Sequence, residues 1–185
     1  MNILILGGAA SGKSAFAEKK ALELAEEKKS PLIYLATLNP QSGGDTAERI
    51  RKHRGGRKGK GFETVEWCEC DFLPPLAPDG NPVVLLEDMG NLVANYLYPP
   101  EKPPLKVTAQ DAVSFMLDTL KKISSRTGNF VCVTNEITLG GSLPEDVKFY
   151  GEVLARLNAA WAAECDQVYA VVAGIPLLLP KNSLC

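Results

Sequence analysis

Residues 7 to 14 read Gly7-Gly8-Ala9-Ala10-Ser11-Gly12-Lys13-Ser14, the pattern G-x-x-x-x-G-K-[ST]. Its surroundings give it force. Asn2 to Leu6 is a short apolar run of strand character, and Lys13 to Lys28 follows with helical periodicity and many strong helix formers. Strand, glycine-containing turn and helix in that order are what phosphate binding needs. Glycines let the backbone wrap closely around a phosphate with its amide N–H groups pointing inward, and the positive end of the helix dipole adds attraction. In such a loop Lys13 reaches the β- and γ-phosphates and the Ser14 hydroxyl ligates magnesium. The expected ligand is therefore GTP or ATP with Mg2+, held by Gly7, Gly8, Ala9, Ala10, Ser11, Gly12, Lys13 and Ser14. The plainer alternative is a glycine-rich turn that only caps a helix.

A second acidic element of such a site normally closes an apolar strand, and Val83-Val84-Leu85-Leu86 runs straight into Glu87 and Asp88. One of the two is expected to complete the magnesium shell. Further strands are expected at Leu32 to Ala36, Phe62 to Trp67 and Phe130 to Val133, with Gln167 to Val172 as the last. Helices are expected from Asp45 to about His53, over Leu92 to Tyr98 until Pro99 and Pro100 stop it, from Thr108 to about Arg126, and over Glu145 to Glu164. Arg54 to Gly61, basic and glycine-rich, reads as a loop. Short apolar strands alternating with helices imply an α/β fold, a mainly parallel sheet covered on both faces, with residues 1–185 forming one domain.

The formal net charge of -2 supplies no basic field for nucleic acid or an anionic membrane. No apolar run approaches the roughly 20 residues of a membrane helix, so a cytoplasmic protein is expected. Five cysteines, an odd number, mostly sit inside apolar or helical patterns and are expected as reduced thiols. Cys68 and Cys70 form a C-x-C, but no second pair or nearby histidine completes a zinc set.

His53 is the single histidine, and it lies within Arg49-Ile50-Arg51-Lys52-His53-Arg54-Gly55-Gly56-Arg57-Lys58. Cations this close disfavour the imidazolium, leaving a neutral, nucleophilic ring, while the same cations can hold a triphosphate. Attack by that ring on phosphorus would give a covalent phosphoramidate and split one transfer into two easier ones. An exposed histidine on a basic loop is the ordinary alternative.

Taken together, these segments resemble the bifunctional adenosylcobinamide kinase and adenosylcobinamide-phosphate guanylyltransferase family of cobalamin biosynthesis. The resemblance rests on GGAASGKS, on Tyr34 to Thr37 (YLAT), on RIRKHRGGR around His53, and on Leu85 to Asp88 (LLED) with Asn95 downstream. It continues through Val133 to Glu136 (VTNE) followed by Pro144-Glu145, and Val171 to Pro176 (VVAGIP). It implies a P-loop NTPase fold with a RecA-like parallel sheet, and a homo-oligomer, often a trimer. It also implies two reactions, phosphorylation of the aminopropanol hydroxyl of adenosylcobinamide and transfer of GMP from GTP to that phosphate through a guanylyl-histidine. By position, His53 and Lys13 would be catalytic, Arg54 and Arg57 would join the phosphate loop in holding nucleotide, and Ser14 and Glu87 would hold the metal. Three departures stand out. Ala10 replaces a usual arginine, Asp146-Val147-Lys148-Phe149-Tyr150 replaces an arginine-rich stretch, and Gly90 replaces a usual threonine, losing a hydroxyl near the acidic strand. A different small-molecule P-loop kinase, or a nucleotide-binding relative lacking one or both activities, is the alternative reading.

Overall fold

The computed structural model describes residues 1–39, 51, 55, 57, 59–69, 72–76, 81–100, 102–137 and 142–180. Strands form at β1 Asn2–Gly7, β2 Leu32–Ala36, β3 Glu63–Glu66, β4 Val83–Glu87, β5 Asn129–Asn135, β6 Gln167–Val172 and β7 Ile175–Leu179. The helices are α1 Lys13–Lys28, α2 Met89–Leu97, α3 Ala109–Ser124 and α4 Glu145–Glu164. The strands form one seven-stranded sheet in the order β3-β2-β4-β5-β1-β6-β7. Every pairing is parallel except β6 with β7.

Period-2 alternation sorts each central strand into two faces. Ile3, Ile5, Val83, Leu85, Val131 and Val133 pack with Ala17, Ala21 and Leu24 of α1. Leu4, Val84, Leu86, Phe130 and Cys132 pack instead beneath α2, α3 and α4, against Met89, Leu120, Leu157 and Trp161 among others. Helices therefore cover both faces, and the central strands, buried on both sides, read as continuous apolar runs. Cys132 and Cys165 are buried and Cys68 is half-buried, none of the three in a disulfide.

Local chemistry sets the helix ends. Lys29, in the left-handed region at φ 52°, closes α1 by donating its N–H to the Ala25 and Glu26 carbonyls. Thr108 caps α3, its hydroxyl oxygen accepting the Asp111 N–H at 3.1 Å. Asp88 caps α2 in the same manner, so that helix begins at Met89, three residues before the expected Leu92.

Two expectations are corrected. Gln167–Val172 is not the last strand, because β7 turns back antiparallel to it and pairs Pro176 with Val171. Proline is tolerated there because β7 is an edge strand. Gly55 and Arg57 have helical backbone where a loop was expected, and Gly59 to Gly61 form a turn. The helix expected from Asp45 to His53 lies, apart from Arg51, outside the described residues. No helix among the described residues is long and apolar enough to cross a membrane.

Candidate active site

The sheet order places the carboxyl ends of β4, β5 and β1 side by side, with helices leaving from the ends of β4 and β1. Open α/β sheets bind ligands outside the carboxyl ends of their strands. A cavity of about 270 Å³ opens there, lined by Ala9, Ala10, Lys13 and Ser14 on one side and by Glu87, Asp88, Asn91 and Asn135 on another. Tyr34, Arg57 and Glu66 also stand in its wall.

The loop from Gly7 to Gly12 is tightly wound. Ser11 N–H donates to the Gly8 carbonyl at 3.3 Å, and the Gly12 carbonyl accepts from Phe16 N–H at 3.1 Å to start α1. Gly12 has φ 91°, and a Cβ on it would lie 3.2 Å from the Cα of Gly174, in the β6–β7 turn. Gly174 N–H donates to the Ser11 carbonyl at 2.8 Å, so the terminal hairpin braces the loop from outside. The Lys13 ammonium, largely buried, donates to the Gly8 carbonyl at 3.1 Å and so lies across the loop's mouth.

Glu87 continues the register of Val83 and Leu85 and therefore faces α1. There one carboxylate oxygen accepts from the Ser14 hydroxyl at 2.5 Å, and the other accepts from the Tyr34 hydroxyl at 3.1 Å. Burial, and then the Glu87 carboxylate, holds the Tyr34 hydroxyl protonated well above the ordinary tyrosine range; the Arg57 guanidinium opposes this. That guanidinium stacks over the Tyr34 ring at 3.5 Å from its centroid.

Arg57 is 6% exposed, and its Nε and Nη1 have no hydrogen-bond partner among the described residues. Among the described residues the other buried side-chain polar atoms in that condition are Ser11 Oγ and Trp161 Nε1. Orphaned donors carry a full desolvation cost, so two of these residues, in the loop and on the cavity wall, are primed for an acceptor. A phosphate supplies several acceptor oxygens, and a guanidinium matches it bidentately.

The cavity thus joins five of the sequence-derived candidates, Ala9, Ala10, Lys13, Ser14 and Glu87, to a sixth, Arg57 from the basic segment. His53 and Arg54 lie outside the described residues. Tyr34, Asp88 and Asn135 are cavity residues to which the sequence reading gave no settled role. The signal for Asp88 was its place beside Glu87; Tyr34 and Asn135 were visible only within the YLAT and VTNE segments. No cluster of three or more potential metal-ligating His, Cys, Asp or Glu side chains occurs among the described residues.

A parallel sheet with a glycine-rich loop and lysine between its first strand and first helix defines a P-loop NTPase, a class of nucleotide-binding α/β proteins. Two solved structures share the architecture at low identity. They are the flagellar accessory protein FlaH of Methanocaldococcus jannaschii (14% identical, TM-score 0.50, covering 99% of this chain and 79% of that one) and the ATPase domain of G40P (11%, TM-score 0.52, 91% and 68%). Within that class, the chain belongs to the cobinamide kinase / cobinamide phosphate guanyltransferase family, which matches residues 3–179. The bifunctional adenosylcobalamin biosynthesis protein CobU of Escherichia coli K12 is 34% identical, over 95% of this chain and 97% of its own. The corresponding CobP of Pseudomonas aeruginosa PAO1 is 32% identical over the full length of both. The chain is accordingly a nucleotide-using transferase of the kinase and guanylyltransferase type.

Proposed function

We propose that this chain phosphorylates the aminopropanol hydroxyl of adenosylcobinamide with a nucleoside triphosphate. It then transfers GMP from GTP to the new phosphate, through a guanylyl group carried on His53. The observation that carries the reading is the buried Arg57 guanidinium, with its Nε and Nη1 unpartnered among the described residues, in one cavity with Lys13 and Ser14. At about 270 Å³ the cavity suits a phosphate chain and leaves the corrin ring outside, so only the alcohol or phosphate end of the substrate enters.

In this reading Lys13 exchanges the Gly8 carbonyl for phosphate oxygens, and Arg57 with the loop amides takes the rest. Magnesium prefers hard oxygen donors, and the Ser14 hydroxyl and Glu87 carboxylate, already in contact, fit it. The bound ion would neutralise phosphate charge. His53 attacks the α-phosphorus of GTP, forming an N–P bond as the bridging P–O bond breaks and pyrophosphate leaves. An oxygen of the substrate phosphate then bonds to that phosphorus and the N–P bond breaks, restoring the imidazole and giving adenosylcobinamide-GDP. His53 stands four residues before Arg57, a span of at most about 14 Å, so the chain itself tethers the nucleophile to the cavity wall. The chain works as one domain and assembles with copies of itself, as a trimer.

The test is covalent labelling. Protein incubated with Mg2+ and GTP labelled at the α-phosphate is expected to keep acid-labile, alkali-stable label after denaturation, and His53→Ala is expected to keep none while still binding GTP. Unlabelled wild-type protein that binds GTP normally would reduce the chain to a kinase or an inactive relative.

A further inference from the structure

Glu87 and Asp88 adjoin in sequence and part in space. Glu87 faces Ser14 and Tyr34 on the α1 side. Asp88 caps α2, its Oδ1 accepting the Asn91 N–H at 2.7 Å and its Oδ2 accepting from Asn135 Nδ2 at 3.2 Å. Asp88, Asn91 and Asn135 all line the cavity. The supports of this carboxylate are themselves held. Asn158 donates through Nδ2 to the Asn135 carbonyl at 3.1 Å and accepts from the Thr134 hydroxyl at 2.7 Å, while the Thr37 hydroxyl donates to the Asp88 carbonyl at 2.8 Å. A carboxylate offers about four acceptor sites, so this one, with two named donors, keeps capacity toward the cavity.

The two proposed reactions present that carboxylate with different acceptors. An alcohol must lose a proton as its oxygen bonds to phosphorus. A phosphate monoester, with a second pKa of about 6, has already lost its own at neutral pH. Only the first reaction calls for a base.

Resting on the two-step reading, we propose that Asp88 is the catalytic base of the phosphorylation step and has no such part in GMP transfer. Its carboxylate accepts the hydrogen bond of the substrate hydroxyl and takes the proton. Meanwhile the oxygen joins the γ-phosphorus, the bridging bond to the nucleoside diphosphate breaks, and the proton passes afterwards to solvent. Asn135 is a positioning residue that aims the carboxylate from the end of β5.

Asp88→Asn tests this cleanly, because asparagine caps a helix about as well as aspartate and cannot take the proton. Single-turnover phosphorylation of adenosylcobinamide and covalent labelling by α-labelled GTP are to be measured on the same preparation. Phosphorylation is expected to fall at least about a hundredfold further than labelling, with KM for the corrinoid nearly unmoved. Parallel loss of both in a variant with wild-type thermal midpoint would mean that Asp88 serves the nucleotide or metal, and would overturn the assignment. So would undiminished phosphorylation. Asp88→Ser, which also caps, gives the same reading if the asparagine variant fails to fold. Wild-type protein that phosphorylates nothing with either ATP or GTP would instead bring down the two-step reading, and this inference with it.

Discussion

Gly90, in losing a hydroxyl near the acidic strand, leaves room for one from another helix. A Cβ at Gly90 would lie 2.9 Å from the Tyr150 hydroxyl, 3.2 Å from Asp88 Oδ1 and 3.3 Å from Asn135 Nδ2. The hydroxyl is therefore present, brought by Tyr150 from α4, where it donates to the Gly90 carbonyl at 3.3 Å. Burial and the Asp88 carboxylate push the Tyr150 pKa up to about 12, so it remains a donor at neutral pH. Two departures, Gly90 and the 146–150 segment, are thus one packing solution, invisible along the chain because the partners stand 60 positions apart. A double-mutant cycle checks it. Gly90→Ala alone is expected to destabilise by displacing the phenol, whereas in a Tyr150→Phe background it is expected to cost less, with a coupling of about 1 kcal/mol by urea denaturation. Additive effects would mean that the two side chains do not compete for that space. The choice between Glu87 and Asp88 was nearer to hand: period 2 from Val83 and Leu85 already puts Glu87 on one face. What the sequence lacked was the fact that α1 covers that face.

Among the elements, α1, β2, α4 and β6 were legible to the residue, because their periodicity is uninterrupted and Gly, Pro or a charged stretch bounds them. β7 was missed for the converse reason. Pro176 and Pro180 bracket only three leucines, and glycine at 174 reads as a terminator, although here it makes the φ 81° turn of a hairpin. The strand has a physical consequence. Ile175, Leu177 and Leu178 are each more than half exposed on an edge with one neighbouring strand. An exposed apolar edge is a pairing surface, which fits the proposed self-assembly. Leu177→Glu with Leu178→Glu is expected to shift the protein from oligomer to monomer in light scattering while leaving its circular dichroism unchanged. An oligomer that survives both charges would place the contact elsewhere.

At the scale of the molecule, fold class followed from alternation alone, since short apolar strands separated by helices leave a parallel sheet with two covered faces as the stable arrangement. Strand order did not follow, because nothing local states that β5 enters between β4 and β1. That insertion sets Asn135, at the end of β5, between the ends of β4 and β1, and the cavity draws its lining from there and from β2 and β3. The loop, the acidic pair and Arg57 belong to different parts of the fold, so a nucleotide that bridges them ties α1, β4 and the basic segment together. Ligand that binds only the folded protein adds RT ln(1 + [L]/Kd), about 2.7 kcal/mol at a hundred times Kd. For a protein of this size that is a rise in thermal midpoint of roughly 5–10 °C. GTP with Mg2+ is expected to produce it in calorimetry, and Lys13→Ala to abolish most of it, because in the proposed reading the ammonium that now rests on the Gly8 carbonyl turns to phosphate oxygens. A Lys13→Ala protein that keeps the full rise would mean that the nucleotide's binding energy comes from the Arg57 side of the cavity, and that the loop shapes the site without gripping it.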